Sequence, residues 1–229
     1  MINNLFFITL LLTINFMPNQ VIFFIYALLV LLFSAILHEI SHGFSAKLQG
    51  DNTAEAAGRL TLNPLPHLDP FGSIILPLLL ALPALFGAPV VIIGWAKPVP
   101  FNPANLRNKK WGSALVALAG PLTNITLAIF FGLLIRFFDL SFLPSLGFFI
   151  AIIVWINLLL AVFNLIPIPP LDGSKILFAV LPVSWRNLEF QLERYGFFLI
   201  LLFIFFGFGL ILPLIFWLFM IITGQSFGF

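Results

Sequence analysis

The sequence has no cysteine and little charge. Its 229 residues include 10 Lys or Arg and 8 Asp or Glu, so 8% of the chain is charged, against 62% that is hydrophobic. The missing cysteines exclude disulfides and thiolate metal sites, which leaves His, Asp, Glu and water as metal ligands. A soluble chain has about 25% charged residues. The shortage of charge therefore excludes an ordinary soluble globule and predicts an integral membrane protein.

The balance of these few charges excludes another class. A net charge of +2 is too small to form a nucleic-acid-binding surface. No polar segment is long enough for a second, soluble domain. We therefore expect residues 1–229 to form one domain in the lipid bilayer, with partners in the same bilayer. No sequence pattern specifies the oligomeric state.

Long apolar runs define the expected helices. A membrane-spanning helix needs about 20 apolar residues, and runs of this length recur along the chain. They predict an all-α polytopic membrane protein with about five to six transmembrane helices, a re-entrant or hairpin segment and a small β-hairpin. The core is expected over residues 21–181, with flanking transmembrane segments at 1–17 and 195–223.

The two flanking segments differ in what they predict. Residues 1–17 contain no Lys or Arg, and no small-residue cleavage site follows them, which favours a retained helix over a signal peptide. Residues 195–223 would form a helix about 43 Å long, which exceeds one bilayer core. We therefore expect a break near Gly207, Gly209 or Pro213.

Two of the three histidines lie in residues 38–42, His-Glu-Ile-Ser-His, near the end of the second apolar run. Positions i and i+4 share one face of a helix, so His38 and His42 can bind one metal ion, with Glu39 beside them to take a proton from water. Ionisable residues inside an apolar helix are costly without a function. The motif therefore predicts a zinc site, and the alternative is a pair of core histidines with satisfied hydrogen bonds.

A catalytic zinc site needs a third protein ligand. Besides Glu39, the candidates near apolar runs are Asp69, Asp139, Asp172 and His67. Asp172 follows a stretch broken by three prolines, and irregular backbone at membrane depth indicates a site or a cavity. The alternative is that Asp172 only caps the helix that follows.

Four stretches of sequence resemble a known family. They are the HEISH motif at 38–42, N-P-L-P-H-L-D-P at 63–70, A-G-P-L-T-N at 119–124, and residues 164–173, which match N-x-x-P-x-P-x-x-D-G. Together they resemble the site-2 protease family of intramembrane zinc metalloproteases, peptidase family M50, over residues 27–179. The chain is similar to the compact bacterial and archaeal members, which have no PDZ or CBS domain.

This resemblance implies a zinc ion held by His38, His42 and Asp172, with Glu39 as the general base and Asn164 as a polar group near the substrate backbone. It implies a zinc metalloendopeptidase that hydrolyses peptide bonds within or near transmembrane segments of other membrane proteins.

Family members also place a membrane-associated sheet after the HExxH helix. Residues 59–63 alternate polar and apolar side chains with period two. They are therefore expected to form an edge strand of a small β-hairpin that pairs with unwound substrate. A plain surface hairpin is the alternative.

The expected site constrains the topology. His38 and Asp172 both lie near the exit of an apolar helix, so these two helices must run parallel, and one of the two apolar runs between them must return to the side it left. Residues 73–94 are expected to return because three prolines and a glycine interrupt them. Nine of the ten Lys and Arg residues then lie on one side, with only Arg136 near the other. The positive-inside rule places the N-terminus and the site toward the cytoplasmic face of the cell membrane.

Three further polar residues are expected near the substrate. Asn164 and Asn124 lie in or beside apolar spans, where they either contact substrate or an oxyanion or join helices by hydrogen bonds. His67 can orient substrate, stabilise an oxyanion or act as a spare metal ligand. With Asp69 it can instead form a hydrogen-bonded pair that fixes a loop.

Two rival functions share these features. A metal or proton transporter also carries ionisable residues in the membrane, although transport does not need a base beside the ligands. A membrane zinc peptidase that acts on soluble or lipidated peptides would carry the same motif.

Overall fold

The computed structural model describes residues 8–12, 18–82, 90–94, 96–139 and 143–226. Within these ranges, four helical stretches are long and apolar enough to cross a membrane. The predicted class, a helical membrane protein, is confirmed. The four stretches are Ile25–Leu48, Gly112–Phe137, Ser145–Asn164 and Arg186–Thr223.

Eight α-helices and two strands make up the regular structure of the described residues. In chain order they are β1 (Ile8–Leu12), α1 (Pro18–Leu48), α2 (Thr53–Ala56), α3 (Leu76–Ala81), β2 (Val90–Gly94), α4 (Gly112–Phe137), α5 (Pro144–Asn164), α6 (Asp172–Val180), α7 (Arg186–Leu202) and α8 (Phe208–Thr223). Short 3-10 helices cover Leu65–His67, Pro103–Asn105 and Val183–Trp185, and π-helical turns cover Pro70–Ile75 and Phe203–Gly207.

Helices α1, α4, α5 and α8 form the core by packing apolar side chains. Ala27 of α1 is buried with Ile156 and Leu160 of α5. On another face of α5, Val154 and Leu158 are buried with side chains of α4 and α8. The large side chains that face outward on the last helices, such as Phe206 and Leu210, are about four-fifths exposed. Exposed apolar surface of this kind suits contact with lipid.

The residues on either side of the apolar run at residues 73–94 meet, as a returning segment requires. Leu68 and Ala96 form an antiparallel bridge, and Lys97 N donates to His67 O over 2.8 Å. Asp69 starts the excursion by accepting a hydrogen bond from Gly72 N. Residues 83–89 lie outside the described ranges. The two ends of the segment therefore lie together, which agrees with the expected return.

The prediction of a transmembrane helix over residues 1–17 is wrong for the part that the structure describes. Residues 8–12 form β1, which pairs antiparallel with β2 from Ile8↔Gly94 to Leu12↔Val90. Short apolar runs do not distinguish helix from strand by periodicity, and β2 is rich in β-branched residues, which favour strands. Residues 1–7 and 13–17 lie outside the described ranges. The described residues contain four candidate spans.

The edge strand predicted at residues 59–63 is also wrong, because residues 60–62 form bends and none of the five residues lies in a strand. Side chains satisfy the local backbone instead: Leu65 N donates to Asn63 Oδ1, and Asn63 N donates to Thr61 Oγ1. Such local hydrogen bonds compete with strand pairing. Arg59, at the start of the segment, is buried. The small sheet is built from β1 and β2 instead.

The break expected in the C-terminal run is a π-helical turn. The helix continues from Arg186 to Thr223, and residues Phe203–Gly207 form the π-helical turn within it. Pro213 lies inside α8. Single π-helical turns of this kind insert into α-helices without ending them. The run therefore remains one long helical element.

Candidate metal centre

Helix α1 places the three ionisable residues of the HExxH motif in the bundle interior. His38 and His42 are one turn apart, with ring centroids separated by 4.6 Å. Both rings and the Glu39 carboxyl are buried. Because i and i+4 positions share a helix face, the two imidazoles point into one space, as the motif predicts.

Asp172 completes a three-residue cluster. Its Oδ2 atom lies 3.0 Å from His38 Nε2 and 3.3 Å from His42 Nε2. One potential ligand atom from each residue lies within 4.8 Å of the others, and all three residues are buried. Leu171 occupies the N-cap position of α6. Asp172 is therefore the first residue of that helix rather than its cap, and its carboxylate faces the histidines.

Each histidine is held through its other ring nitrogen. His42 Nδ1 lies 2.7 Å from Val116 O, and His38 Nδ1 lies 2.5 Å from Asn124 Oδ1. Both partner atoms are acceptors, so in a neutral imidazole each Nδ1 carries the proton and each Nε2 presents its lone pair. This arrangement, with the second nitrogen bound to a carbonyl, is characteristic of metal-binding histidines.

Two buried polar atoms in the cluster have no hydrogen-bond partner, namely His42 Nε2 and Glu39 Oε1. The 3.3 Å approach of His42 Nε2 to Asp172 makes no hydrogen bond. Buried polar atoms without partners are costly. Two imidazoles and one carboxylate are a donor set that zinc accepts, and a fourth position would remain open. The side chains present therefore fit a zinc ion.

Residues 97–100 form a crossing segment that runs past the site and holds the Glu39 carboxylate by a backbone hydrogen bond. Glu39 Oε2 accepts a hydrogen bond from Val99 N over 2.7 Å. Val99 lies between Pro98 and Pro100, which have no N–H to offer. Arg59 Nη2 donates to Lys97 O over 2.6 Å, two residues before Val99. One carboxylate oxygen of Glu39 is thus fixed, and the other is left without a partner.

His67 lies beside this crossing segment and is not part of the three-residue cluster. Its Nε2 lies 2.9 Å from Thr61 O, and its buried Nδ1 has no hydrogen-bond partner. Burial lowers the pKa of His67, and the charge of Arg59 lowers that pKa further. Asp69, the alternative loop partner of His67, accepts from Gly72 N.

The two asparagines from the sequence prediction lie in different surroundings. Asn124 contacts His38 Nδ1, the ring nitrogen on the side away from Asp172. Its amide joins α1 and α5 by hydrogen bonds, which is the alternative that the sequence left open for Asn124. Asn164 is buried at the end of α5 and donates to Leu160 O of its own helix.

Sequence reasoning missed Arg59 and Asn157 as site residues. Arg59 is 6% exposed, although the sequence predicts an edge strand or a plain surface hairpin at residues 59–63. Asn157 is fully buried within α5 and accepts a hydrogen bond from Asn124. The available signal was a lone amide in an apolar span, since polar groups in such spans need partners.

Comparison with known proteins adds independent information. The sequence model of peptidase family M50 matches residues 141–207. YwhC of Bacillus subtilis, whose name describes a candidate zinc metalloprotease, is 37% identical over 179 residues, which cover 75% of this chain and 76% of YwhC. Rip2 of Mycolicibacterium smegmatis, described in the same words, is 34% identical over 173 residues, which cover 74% of this chain and 62% of Rip2. No solved structure matches the chain.

Proposed function

Because the chain belongs to peptidase family M50 and is therefore a membrane zinc metalloprotease, we propose that it is a zinc metalloendopeptidase that hydrolyses peptide bonds within or next to transmembrane segments of other membrane proteins. The observation that carries the proposal is a buried group of His38, His42 and Asp172, with Glu39 beside it, in the interior of apolar helices. An ionisable cluster at such a place is expected to have a function.

In this proposal His38, His42 and Asp172 hold the zinc ion, and Glu39 is the catalytic base. Zinc in a three-ligand site supplies Lewis-acid polarisation of the scissile carbonyl and lowers the pKa of water. Glu39 takes a proton from the attacking water through Oε1, the oxygen without a partner, and later gives a proton to the leaving amine. The hydrogen bond from Val99 N holds the carboxylate in place for both transfers.

The substrate must reach this site in an extended form. A helical peptide bonds each carbonyl to the amide four residues on, so the scissile carbonyl is available only after unwinding. We assign two further residues to the substrate backbone: Asn164, at the end of α5, and His67, whose Nδ1 is buried without a partner. Two loops meet next to the base: Arg59 donates to Lys97 O, and Val99, two residues further on, donates to Glu39.

The site is proposed to face the cytoplasmic side of the cell membrane. Lys47, in the last turn of α1, lies at one end of the bundle, because Gln49 Nε2 just beyond it bonds to Gly112 O at the start of α4. Arg136 lies at the opposite end of α4, where it donates to Ile221 O. This separation agrees with the positive-inside bias of the sequence.

The test compares the wild-type protein with a Glu39→Gln variant, both purified in detergent. The variant should retain zinc and lose cleavage of a tagged single-span substrate by about 100-fold or more, because general-base catalysis supplies this much. Full activity of the variant would contradict the protease assignment. A parallel panel of soluble peptides identifies the substrate class, and cleavage of the soluble panel alone would contradict intramembrane proteolysis.

A further inference from the structure

A chain of buried side chains connects His38 to the middle of α5. Asn124 Oδ1 faces His38 Nδ1, and Asn124 Nδ2 donates to Asn157 Oδ1 over 2.8 Å. Asn157 Nδ2 in turn donates to Ser34 Oγ over 3.0 Å. All four side chains are at least 95% buried. Three helices, α1, α4 and α5, thus meet in one polar network behind the metal centre.

The network has a fixed direction, which a backbone carbonyl sets. Asn157 Nδ2 also donates to Ile153 O over 2.9 Å, and a carbonyl oxygen can only accept. The NH2 group of Asn157 must therefore face Ile153 O, so its Oδ1 faces Asn124. Asn124 must then direct its own NH2 group toward Asn157 and its Oδ1 toward His38. The same NH2 group makes a longer hydrogen bond of 3.4 Å to Ser34 O, so the 2.8 Å bond to Asn157 is the shorter of the two that orient the amide.

The direction of the amides decides which tautomer of His38 forms. With Asn124 Oδ1 as its neighbour, Nδ1 of a neutral, metal-binding His38 carries the proton, and the lone pair of Nε2 is left for a metal ion on the side of Asp172, whose Oδ2 lies 3.0 Å away. If the Asn124 amide turned over, an N–H group would face Nδ1, and the proton of the neutral ring would move to Nε2. That tautomer cannot donate its Nε2 lone pair to a metal ion.

We propose that Asn157 is a positioning residue for the metal site: it holds the Asn124 amide in the one orientation that leaves His38 Nε2 able to bind zinc. The inference rests on the proposed role of His38 as a zinc ligand. Partners of this kind behind a metal-binding histidine typically change metal affinity by about 10–100-fold when removed.

The test measures the zinc dissociation constant of the full chain in detergent by competition with a chelator. Asn157→Leu is expected to weaken zinc binding by about 10–100-fold. The decisive variant is Asn124→Asp in the Asn157→Leu background. Both oxygens of a carboxylate accept hydrogen bonds, so Asp at position 124 needs no orienting partner. The double variant is therefore expected to recover zinc affinity to within a few-fold of wild type.

A residue that only packs helices together would give a different pattern. Loss of Asn157 would then lower stability without rescue from position 124, and failure of rescue overturns the proposal. Wild-type zinc affinity of Asn157→Leu would overturn it as well. Thr223→Val, which removes a buried hydroxyl bonded to Phe219 O in α8, is the matched control and should leave zinc affinity unchanged.

Two further measurements keep the outcomes separate. If Asn157→Leu does not unfold cooperatively, Asn157→Ala adds no bulk and is expected to show the same loss and the same rescue. His38→Ala must abolish zinc binding if the proposed ligand set is right. Unchanged zinc affinity of His38→Ala would contradict the proposed function itself, whereas failed rescue alone would contradict only the role of Asn157.

Discussion

The backbone of Gly120 lies against the ring of His38. A Cβ atom at position 120 would lie 2.6 Å from both Cδ2 and Cε1 of the imidazole, closer than carbon atoms can approach without a shift. The side chain behind it is a metal-ligand candidate whose orientation depends on Asn124, one turn further along α4. The absence of a side chain at position 120 therefore allows α4 to approach the site.

Gly120→Ala is expected to displace His38 and to weaken zinc binding by at least about tenfold, with a stability loss of about 1–3 kcal/mol from overpacking. Zinc affinity and thermal unfolding of the purified protein measure both effects. Gly209→Ala is the matched control, because a Cβ there meets nothing within 4 Å. That control is expected to be neutral or slightly stabilising, and equal effects of both substitutions would count against the steric explanation.

Replacing Asp172 with Ala should lower the zinc content of the purified protein well below one ion per chain. Two imidazoles would remain, one ligand short of a catalytic zinc site. The zinc-to-protein ratio after gel filtration in a weak chelator measures the loss. Asp139→Ala serves as a control, since Asp139 lies beyond the end of α4. An unchanged ratio for Asp172→Ala would mean that another group completes the site.

Arg59→Gln is expected to lower the cleavage rate about tenfold or more while zinc stays bound. The guanidinium donates to Lys97 O and so holds the segment whose Val99 N binds Glu39. A shorter, neutral side chain loses this contact, and the carboxylate loses its fixed orientation. Single-turnover cleavage together with zinc content separates the two effects.

The control for this substitution is Arg136→Gln. Arg136 also donates to a backbone carbonyl, that of Ile221, but at the far end of α4. Its replacement should leave the cleavage rate within about twofold of wild type. If both arginine variants lost cleavage to the same extent, general destabilisation would explain the result better than support of Glu39.

Asp51→Asn should destabilise the protein at neutral pH by roughly 2 kcal/mol, the scale of hydrogen bonds to a charged group. Burial raises the pKa of Asp51, but hydrogen bonds from Thr53, Asn102 and Asn105 outweigh it, and the net pKa lies below its usual value. A lowered folded-state pKa stabilises the fold above the unfolded pKa, and this stabilisation is lost as the pH falls through the folded-state value.

The difference in stability between wild type and Asp51→Asn should therefore be full near pH 7 and shrink below about pH 4. Thermal unfolding at a series of pH values measures it. A difference that stayed constant down to acidic pH would show that the charge of Asp51 contributes nothing.

The parts of the site that depend on local periodicity could be predicted from the sequence. The i, i+4 spacing of His38 and His42 on a helix sets their common direction. The requirement that Asp172 reach the same site predicts that residues 73–94 return to the side they left. The remaining parts depend on contacts between residues far apart in the chain. β1 pairs with β2 across about 80 residues, and a five-residue apolar run does not reveal this. Arg59 turns inward because of a carbonyl at position 97, which no local pattern shows.

Residues 67–68 and 96–97 join the two ends of the excursion, a contact we call the clasp. It separates changes in the length of the excursion from changes at the metal site. Both ends of the excursion are fixed by the Leu68↔Ala96 bridge and the bond from Lys97 N to His67 O. The entropy of closing a loop grows slowly with its length, so changes of length in the excursion that leave β2 paired with β1 are expected to cost little stability. Val99 and Glu39 lie beyond the clasp and would stay where they are. The length of the excursion is therefore expected to be separable from the chemistry of the site.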